Sequence, residues 1–251
     1  MLKFLLGSIT FYTIIPLPTS WEKSFQSIAA WSPVVGLLIG IILGIIDYIL
    51  TFIGFPITVR STLIVFLGIF ITGGLHLDGV IDSADGMGLN DPQKRLMAME
   101  DSSTGAFGVI AGVMVIFLKI VALSAITNYR LWILMVTYGW GRWAQVFSIS
   151  FYPYLKKVGK GFFHKQYINY PKDLLFGILS LLITNILWIM FTSHQELLGI
   201  IIVMTGIVIS IGVSSFFNKQ FGGYTGDTYG AVVEWTESLI LCVLVLNFSG
   251  Q

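Results

Sequence analysis

The chain has 251 residues, of which 55% are hydrophobic and 11% charged, with a formal net charge of +1. A charged share so far below the rough quarter of soluble domains, together with a mean hydropathy of +0.85, excludes a water-soluble globule and points to a polytopic membrane protein. The charge balance gives no reason to expect a nucleic-acid partner, and the single Cys242 lies in an apolar run, which argues against disulfide or thiolate chemistry.

Residues 1–18 are apolar, but Lys3, Ser8, Thr10 and the Pro16-Leu17-Pro18 stop predict a helix lying in the membrane interface rather than crossing it. No small-residue cleavage site precedes Pro16, so a cleaved signal peptide is not expected. Stretches of about twenty apolar residues then fall near 31–54, 60–77, 105–127, 131–151, 173–192, 197–215 and 229–248. The expected fold is all-α: a polytopic integral membrane helical bundle of about seven transmembrane helices plus an N-terminal interfacial helix. No internal repeat interrupts it, and residues 1–251 read as a single domain.

The second stretch runs into Gly73-Gly74-Leu75-His76-Leu77-Asp78-Gly79-Val80-Ile81-Asp82-Ser83-Ala84-Asp85-Gly86. On a helix, at about 100° per residue, Asp78, Asp82 and Asp85 fall within roughly 60° of one another on one face. Three anions in register repel, so the pattern predicts a hard divalent cation among them. Mg²⁺ is the expected ion, because it prefers oxygen ligands and in turn holds phosphate. The bland alternative is a solvated acidic helix end, although Leu77, Val80 and Ile81 confine the acids to one face. His76 lies on a different side of that helix, and reads either as a proton acceptor titrating near neutrality or as a packed helix-end residue. Asp101, in Met99-Glu100-Asp101-Ser102, is the rival base, with the N-cap of the third span as its structural alternative.

Cations are expected to cradle phosphate as well. Lys94 and Arg95 share the loop with the acids, Lys219 precedes a glycine-rich turn, and Arg142 falls inside the fourth span, where a charge must face protein or water. For Lys94 and Lys219, positive anchoring at the membrane surface is the simpler explanation. Glu234 and Glu237, one turn apart in the last span, read either as site-lining or as partners of Lys119 or Arg142. Asp47 reads as interfacial. The lysine-rich 156–172 segment, with Phe162, Phe163, Tyr167 and Tyr170, reads as an anchor on an anionic leaflet or as a cover over a large substrate.

An N-terminus in the cytoplasm places Lys3, Lys23, Lys94, Arg95, Lys156, Lys157, Lys160, Lys165, Lys172 and Lys219 on the cytoplasmic side, against Arg60 and Arg130 on the other. That asymmetry predicts a plasma-membrane protein with cytoplasmic site loops. The loop after Asp78 and the Gly222-Gly223-Tyr224-Thr225-Gly226-Asp227 run then emerge on one side, far apart in sequence but able to share one site. Asp227, among glycines that let backbone amides approach an anion, is a fourth oxygen donor or a phosphate-loop residue. Glycines also end and begin membrane helices for purely geometric reasons.

These residues resemble a known family. Gly73-Gly74-Leu75-His76-Leu77-Asp78-Gly79 followed by Asp82 and Asp85-Gly86, then Met99-Glu100-Asp101-Ser102 with Gly105-Ala106-Phe107-Gly108, then Gly222-Gly223-Tyr224-Thr225-Gly226-Asp227, is similar to the cobalamin synthase family in order and spacing, from Ile15 to Glu237. The resemblance implies a membrane transferase of cobalamin nucleotide-loop assembly, which joins adenosylcobinamide-GDP to α-ribazole or its 5′-phosphate and releases GMP, with Mg²⁺ as cofactor. Asp78, Asp82, Asp85 and Asp227 are the expected direct or water-mediated metal ligands. His76, Asp82 and Asp101 are the expected catalytic residues, and Lys94, Arg95, Arg142, Gly222, Gly223 and Thr225 the expected substrate contacts. The partners are the two substrates and the lipid bilayer, with self-association left open. The chain departs from the family pattern at Glu100 and Ser103, where the family is usually basic.

Two other classes share parts of the pattern. Aromatic prenyltransferases and phosphatidyl-alcohol transferases also hold Mg²⁺ on spaced membrane aspartates. The latter need Asp-x-x-Asp-Gly-x-x-Ala-Arg, whereas Asp85-Gly86 is followed here by Met87-Gly88-Leu89-Asn90. A divalent-cation transporter would place acids near the bilayer midplane in several spans, often with inverted repeats, whereas these cluster at one end.

Overall fold

A computed structural model describes residues 1–156, 159–192 and 195–248. These residues form eleven helices and no strand: α1 (Leu2–Tyr12), α2 (Ile28–Ile53), α3 (Ile57–Ile71), α4 (Leu75–Met87), α5 (Pro92–Ala98), α6 (Ala106–Ala125), α7 (Arg130–Phe151), α8 (Lys160–Tyr167), α9 (Lys172–Phe191), α10 (Glu196–Phe221) and α11 (Gly226–Phe248). The all-helical reading holds. Lys157, counted above among the cytoplasmic cations, lies outside the described residues.

Five helices, α2, α6, α9, α10 and α11, are long and apolar enough to cross a membrane. At 11 residues, α1 is far too short, consistent with its reading as a helix that does not span. Just past its end, the Ile14 amide donates to the carbonyl of Ile71, the last residue of α3, at 2.8 Å. The fourth expected span is α7, with 22 residues. It carries Arg130 and Arg142 yet is buried along most of its length, so its neighbours rather than lipid receive its polar groups.

The expected span at 60–77 is corrected. It breaks after Ile71, and α4 leaves at 89° to α3. Gly73 and Gly74 make the corner with φ of 61° and 71°, a region open to glycine without steric cost. At 13 residues, or about 20 Å, α4 cannot cross. It lies across one end of the bundle, outside the spanning segments.

The centre of the bundle is α7 against α2. Gly36, Gly40 and Gly44 recur every fourth residue on α2, and a Cβ at any of them would overlap α7 at Tyr138, Met135 or Leu131. Small residues at this spacing let two helix backbones meet and gain packing that lipid cannot supply. Trp140 of α7 fills the space left by Gly206 of α10, and Trp143 packs edge-on to Trp140.

Two buried ion clusters pin the helices. At the end away from α4, Arg130 donates to both oxygens of Asp47, at 2.7 and 2.8 Å, and Arg60 reaches the same carboxylate at 3.2 Å. Asp47, near the far end of α2, is only 3% exposed, so these arginines, not water, neutralise it. Deeper in the bundle, Lys119 of α6 pairs with Glu234 and Glu237 of α11, and Glu237 also takes Arg142 of α7. The two cations and two anions cancel, as buried charges at membrane depth must.

Candidate active site at one end of the bundle

Helix α4 is amphipathic in the way its sequence requires. Val80, Ser83, Ala84 and Met87 line an apolar cavity of about 710 Å³ between α4, α6, α10 and α11, whereas Asp78 is exposed and Asp82 and Asp85 are half-buried. The opposite wall is α11. A Cβ on Gly79 would overlap the Asp227 carbonyl, and a Cβ on Gly230 would sit 3.1 Å from the His76 Cα. Each helix thus offers a glycine to the other, and the crossing delivers Asp227 to the acidic face of α4.

The electrostatics record this convergence. Asp82 is pushed up to about 6, first by burial and then by the carboxylates of Asp78, Asp227 and Asp85, with Lys156 the cation acting the other way. The two remote segments expected to share one site therefore do meet at one end of the molecule. Among the described residues, no three His, Cys, Asp or Glu side chains stand close enough to chelate an ion directly. The donor set nonetheless fits a hydrated Mg²⁺, which keeps several of its waters and takes few protein ligands.

The four acids are not equivalent. Asp85 accepts the amides of Gly105 and Gly108 at 2.7 Å each, capping the first turn of α6 from another helix. A Cβ at either glycine would overlap this carboxylate, which accounts for both residues. Asp101 is therefore not the cap of that helix, a correction to its structural reading. It accepts from the Ser103 amide at 2.9 Å and hydroxyl at 2.7 Å, and these bonds, the amide's first, hold its carboxyl below the ordinary value. Asp85, Asp101, Ser103 and Gly105 line a small cavity of about 230 Å³.

His76 is only 1% exposed, and neither ring nitrogen has a hydrogen-bond partner. It stacks on Tyr12 at 6.1 Å. Burial first, then Arg142, Lys119 and His164, hold its pKa well below the usual histidine range. None of the aspartates contributes. The geometry is that of the packed helix-end residue.

The expected phosphate cations are also differently engaged. Arg95 donates to the carbonyls of Leu89 and Gln220, strapping the α4–α5 loop to the end of α10. Arg142 is given to Glu237 and to the Tyr138 carbonyl. Lys94 and Lys219 are exposed. Gly222 closes α10 with φ of 77°. Thr225 and Thr228 exchange bonds, at 2.8 and 3.3 Å, in the reciprocal manner of a capping box at the start of α11, and the Thr225 hydroxyl donates to Asp227 at 3.2 Å. Gly223 lies against the chain at Pro153 and Leu155. Sequence reasoning missed Lys156, which lies 3.0 Å from Glu100 and 3.8 Å from Asp227, because a lysine-rich loop reads first as a membrane anchor.

A polytopic helical membrane protein that gathers four acids at one end of the bundle, three on a helix laid across that end and one at the start of α11, is the class these observations define. Comparison with known proteins narrows it. The family described as cobalamin-5-phosphate synthase matches residues 4–245, and the chain belongs to that family. It is 49% identical to an adenosylcobinamide-GDP ribazoletransferase of Trichormus variabilis over 98% of both chains. Relatives of the same name in Synechococcus elongatus, at 44% over 93% of this chain and 92% of the relative, and in Synechocystis sp., at 42% over 96% and 93%, are also similar. No solved structure matches.

Proposed function

We propose that this protein is an adenosylcobinamide-GDP ribazoletransferase of cobalamin synthesis, joining adenosylcobinamide-GDP to α-ribazole or α-ribazole 5′-phosphate and releasing GMP. The observation that carries the reading is the meeting of Asp78 and Asp82 with Asp227 at one end of the bundle, in a chain that matches relatives of that name over nearly its full length. Acids alone repel a diphosphate, so an acidic face turned to solvent implies a bound cation.

In this reading Asp78, Asp82 and Asp227 hold Mg²⁺, partly through water, while Asp85 stays on the α6 N-terminus. Mg²⁺, when bound, supplies positive charge against the charge that develops on the leaving phosphate. A ribose hydroxyl of the acceptor attacks the cobinamide-side phosphorus, the bond from that phosphorus to the GMP oxygen breaks, and the hydroxyl proton passes to a base. Asp101 suits that role better than His76, being an ionised, exposed carboxylate beside Asp85, whereas the imidazole is sealed between α1, α4 and α11. The excess of lysine and arginine at the site end supports an orientation with this end in the cytoplasm, at the plasma membrane.

Purified protein in liposomes given adenosylcobinamide-GDP and α-ribazole tests the reading. GMP release that stops on chelation of divalent ions and in Asp82→Asn supports it. Ion flux without turnover would replace it with a transporter.

A further inference from the structure

Lys156 stands apart from the cations engaged within the bundle. Arg95, Lys165, Arg142, Lys119, Arg60 and Arg130 are spent on backbone carbonyls or buried acids. Lys156 instead reaches two acids at the end where the α4 face opens. Its bond to Glu100, at 3.0 Å, ends on a side chain that is 60% exposed, and its approach to Asp227, at 3.8 Å, is long. Ion pairs of this kind contribute little and exchange readily.

The backbone leading to it, by contrast, is fixed. The Tyr224 amide donates to the Pro153 carbonyl at 2.9 Å, and the Leu155 amide returns a bond to the Tyr224 carbonyl at 2.8 Å. This parallel bridge ties the segment before Lys156 to the glycine-rich turn before Asp227. Gly223 permits it, because a Cβ there would meet the Pro153 carbonyl at 2.8 Å. The Tyr154 ring stacks on Tyr229 of α11. A long side chain is thus carried to the rim of the acidic face on a clamped stem, with its ammonium held by one exposed acid and one distant one.

We propose that Lys156 is the protein's own cationic contact for the substrate diphosphate: Glu100 and Asp227 hold its ammonium at rest, and it exchanges onto a phosphate oxygen when the nucleotide binds. An ammonium is a compact point charge suited to phosphate. It completes what the acids lack, because those that hold the cation also repel the outer phosphate oxygens. The inference rests on the transferase reading above, but concerns binding and is read separately from turnover.

The test measures GDP affinity, in the presence of Mg²⁺, and steady-state kinetics for wild type, Lys156→Met, Lys156→Arg and Glu100→Gln, each reconstituted in liposomes with thermal stability recorded alongside. Expected are a GDP Kd and a KM for adenosylcobinamide-GDP raised about tenfold or more in Lys156→Met. The KM for α-ribazole should be unchanged, Lys156→Arg should recover most of the loss, and Glu100→Gln should bind GDP as tightly as wild type or tighter. Equal GDP affinity in wild type and Lys156→Met overturns the inference, as does absence of GDP binding by wild type. An equal loss in Glu100→Gln also overturns it, since the pair would then be a strut. If Asp82→Asn is inactive while Lys156→Met is unimpaired, only the role of Lys156 fails. If wild type shows no turnover, the transferase reading fails, and GDP binding still decides the role of Lys156.

Discussion

Asp82 is held among charges of its own sign, and at the residue scale this separates function from stability. Its folded pKa is raised from 3.8 to about 6, so ionisation is harder in the folded than in the unfolded chain. The metal-free protein is therefore less stable above about pH 6 than it would be with an unperturbed carboxyl at this position, and recovers as pH falls from 6 towards 4. Asp82→Asn removes the penalty. Discounted for partial exposure, the gain is on the order of 1 kcal/mol, and thermal unfolding of chelator-treated protein at neutral pH should show it as a small rise in Tm. Turnover should fall by about two orders of magnitude or more in the same variant. A variant that loses activity and melts markedly earlier would make Asp82 a structural residue instead. His164 on α8 runs the other way. It is enclosed by Phe11 and Tyr12, and burial lowers its pKa from 6.5 to about 4. Its contribution is complete above pH 6.5 and is lost as pH falls from 6.5 towards 4, amounting to about 2 kcal/mol by roughly pH 5. In an Asp82→Asn background, which removes the opposing titration, the Tm should drop between neutral pH and roughly pH 5. Replacing His164 with Phe, which keeps the aromatic packing, should flatten that drop, with differential scanning fluorimetry as the readout. An unchanged slope would show that His164 is reached by water.

Between elements, the crossing of α4 and α11 does the most for the site, and it depends on hydrogen in place of a methyl. Gly79→Ala forces a Cβ into the Asp227 carbonyl, and overpacking of this kind typically costs about 1–3 kcal/mol. It also moves Asp227 from Asp82, so activity per folded molecule should fall together with stability. Gly212→Ala on α10 is the matched control. Nothing lies within 4 Å of its Cβ, and the exchange of glycine for alanine in a helix should leave stability equal or raised by up to about 1 kcal/mol. If both variants behave alike in activity assays and thermal melts, the crossing is not what holds the acids together. The acids on α4 were legible because helical spacing alone sets their face, and the meeting with Asp227 was legible from the parity of the spans. The corner at Gly73-Gly74 was not, because Leu75 and Leu77 continue the apolar run across it and hydropathy does not sense direction. The use of Asp85 as a cap for α6 was not either: its partners lie 20 and 23 residues away, beyond any local capping pattern. The pairing of Glu234 and Glu237 with Lys119 and Arg142 followed from the cost of charge at membrane depth, which left few other partners. Gly36, Gly40 and Gly44 did carry a readable signal of close helix contact, one that an average over hydropathy dilutes.

Across the whole molecule the two ends of the bundle have opposite characters. One end holds a buried ion cluster, with Asp47 shared by Arg60 and Arg130, so neither arginine is a free loop charge. The other end carries the acids of α4, the turn at Asp227 and most of the lysines, and there charge remains available for ligands and for an anionic leaflet. This polarity makes the shared site a statement about topology that can be checked without substrate. In a Cys242→Ala background, Lys94→Cys and Lys219→Cys mark the connections after α4 and α10, and Asn128→Cys marks the turn between α6 and α7; all three positions are exposed. A membrane-impermeant maleimide applied to intact cells should label Asn128→Cys alone, and Lys94→Cys and Lys219→Cys should react only after permeabilisation. The reversed pattern would keep the two loops together and invert the orientation expected from the lysine and arginine asymmetry. Labelling of Lys94→Cys and Lys219→Cys from opposite faces would separate α4 from Asp227 by the thickness of the bilayer, about 30 Å of hydrocarbon, and no hydrated cation could then be common to both.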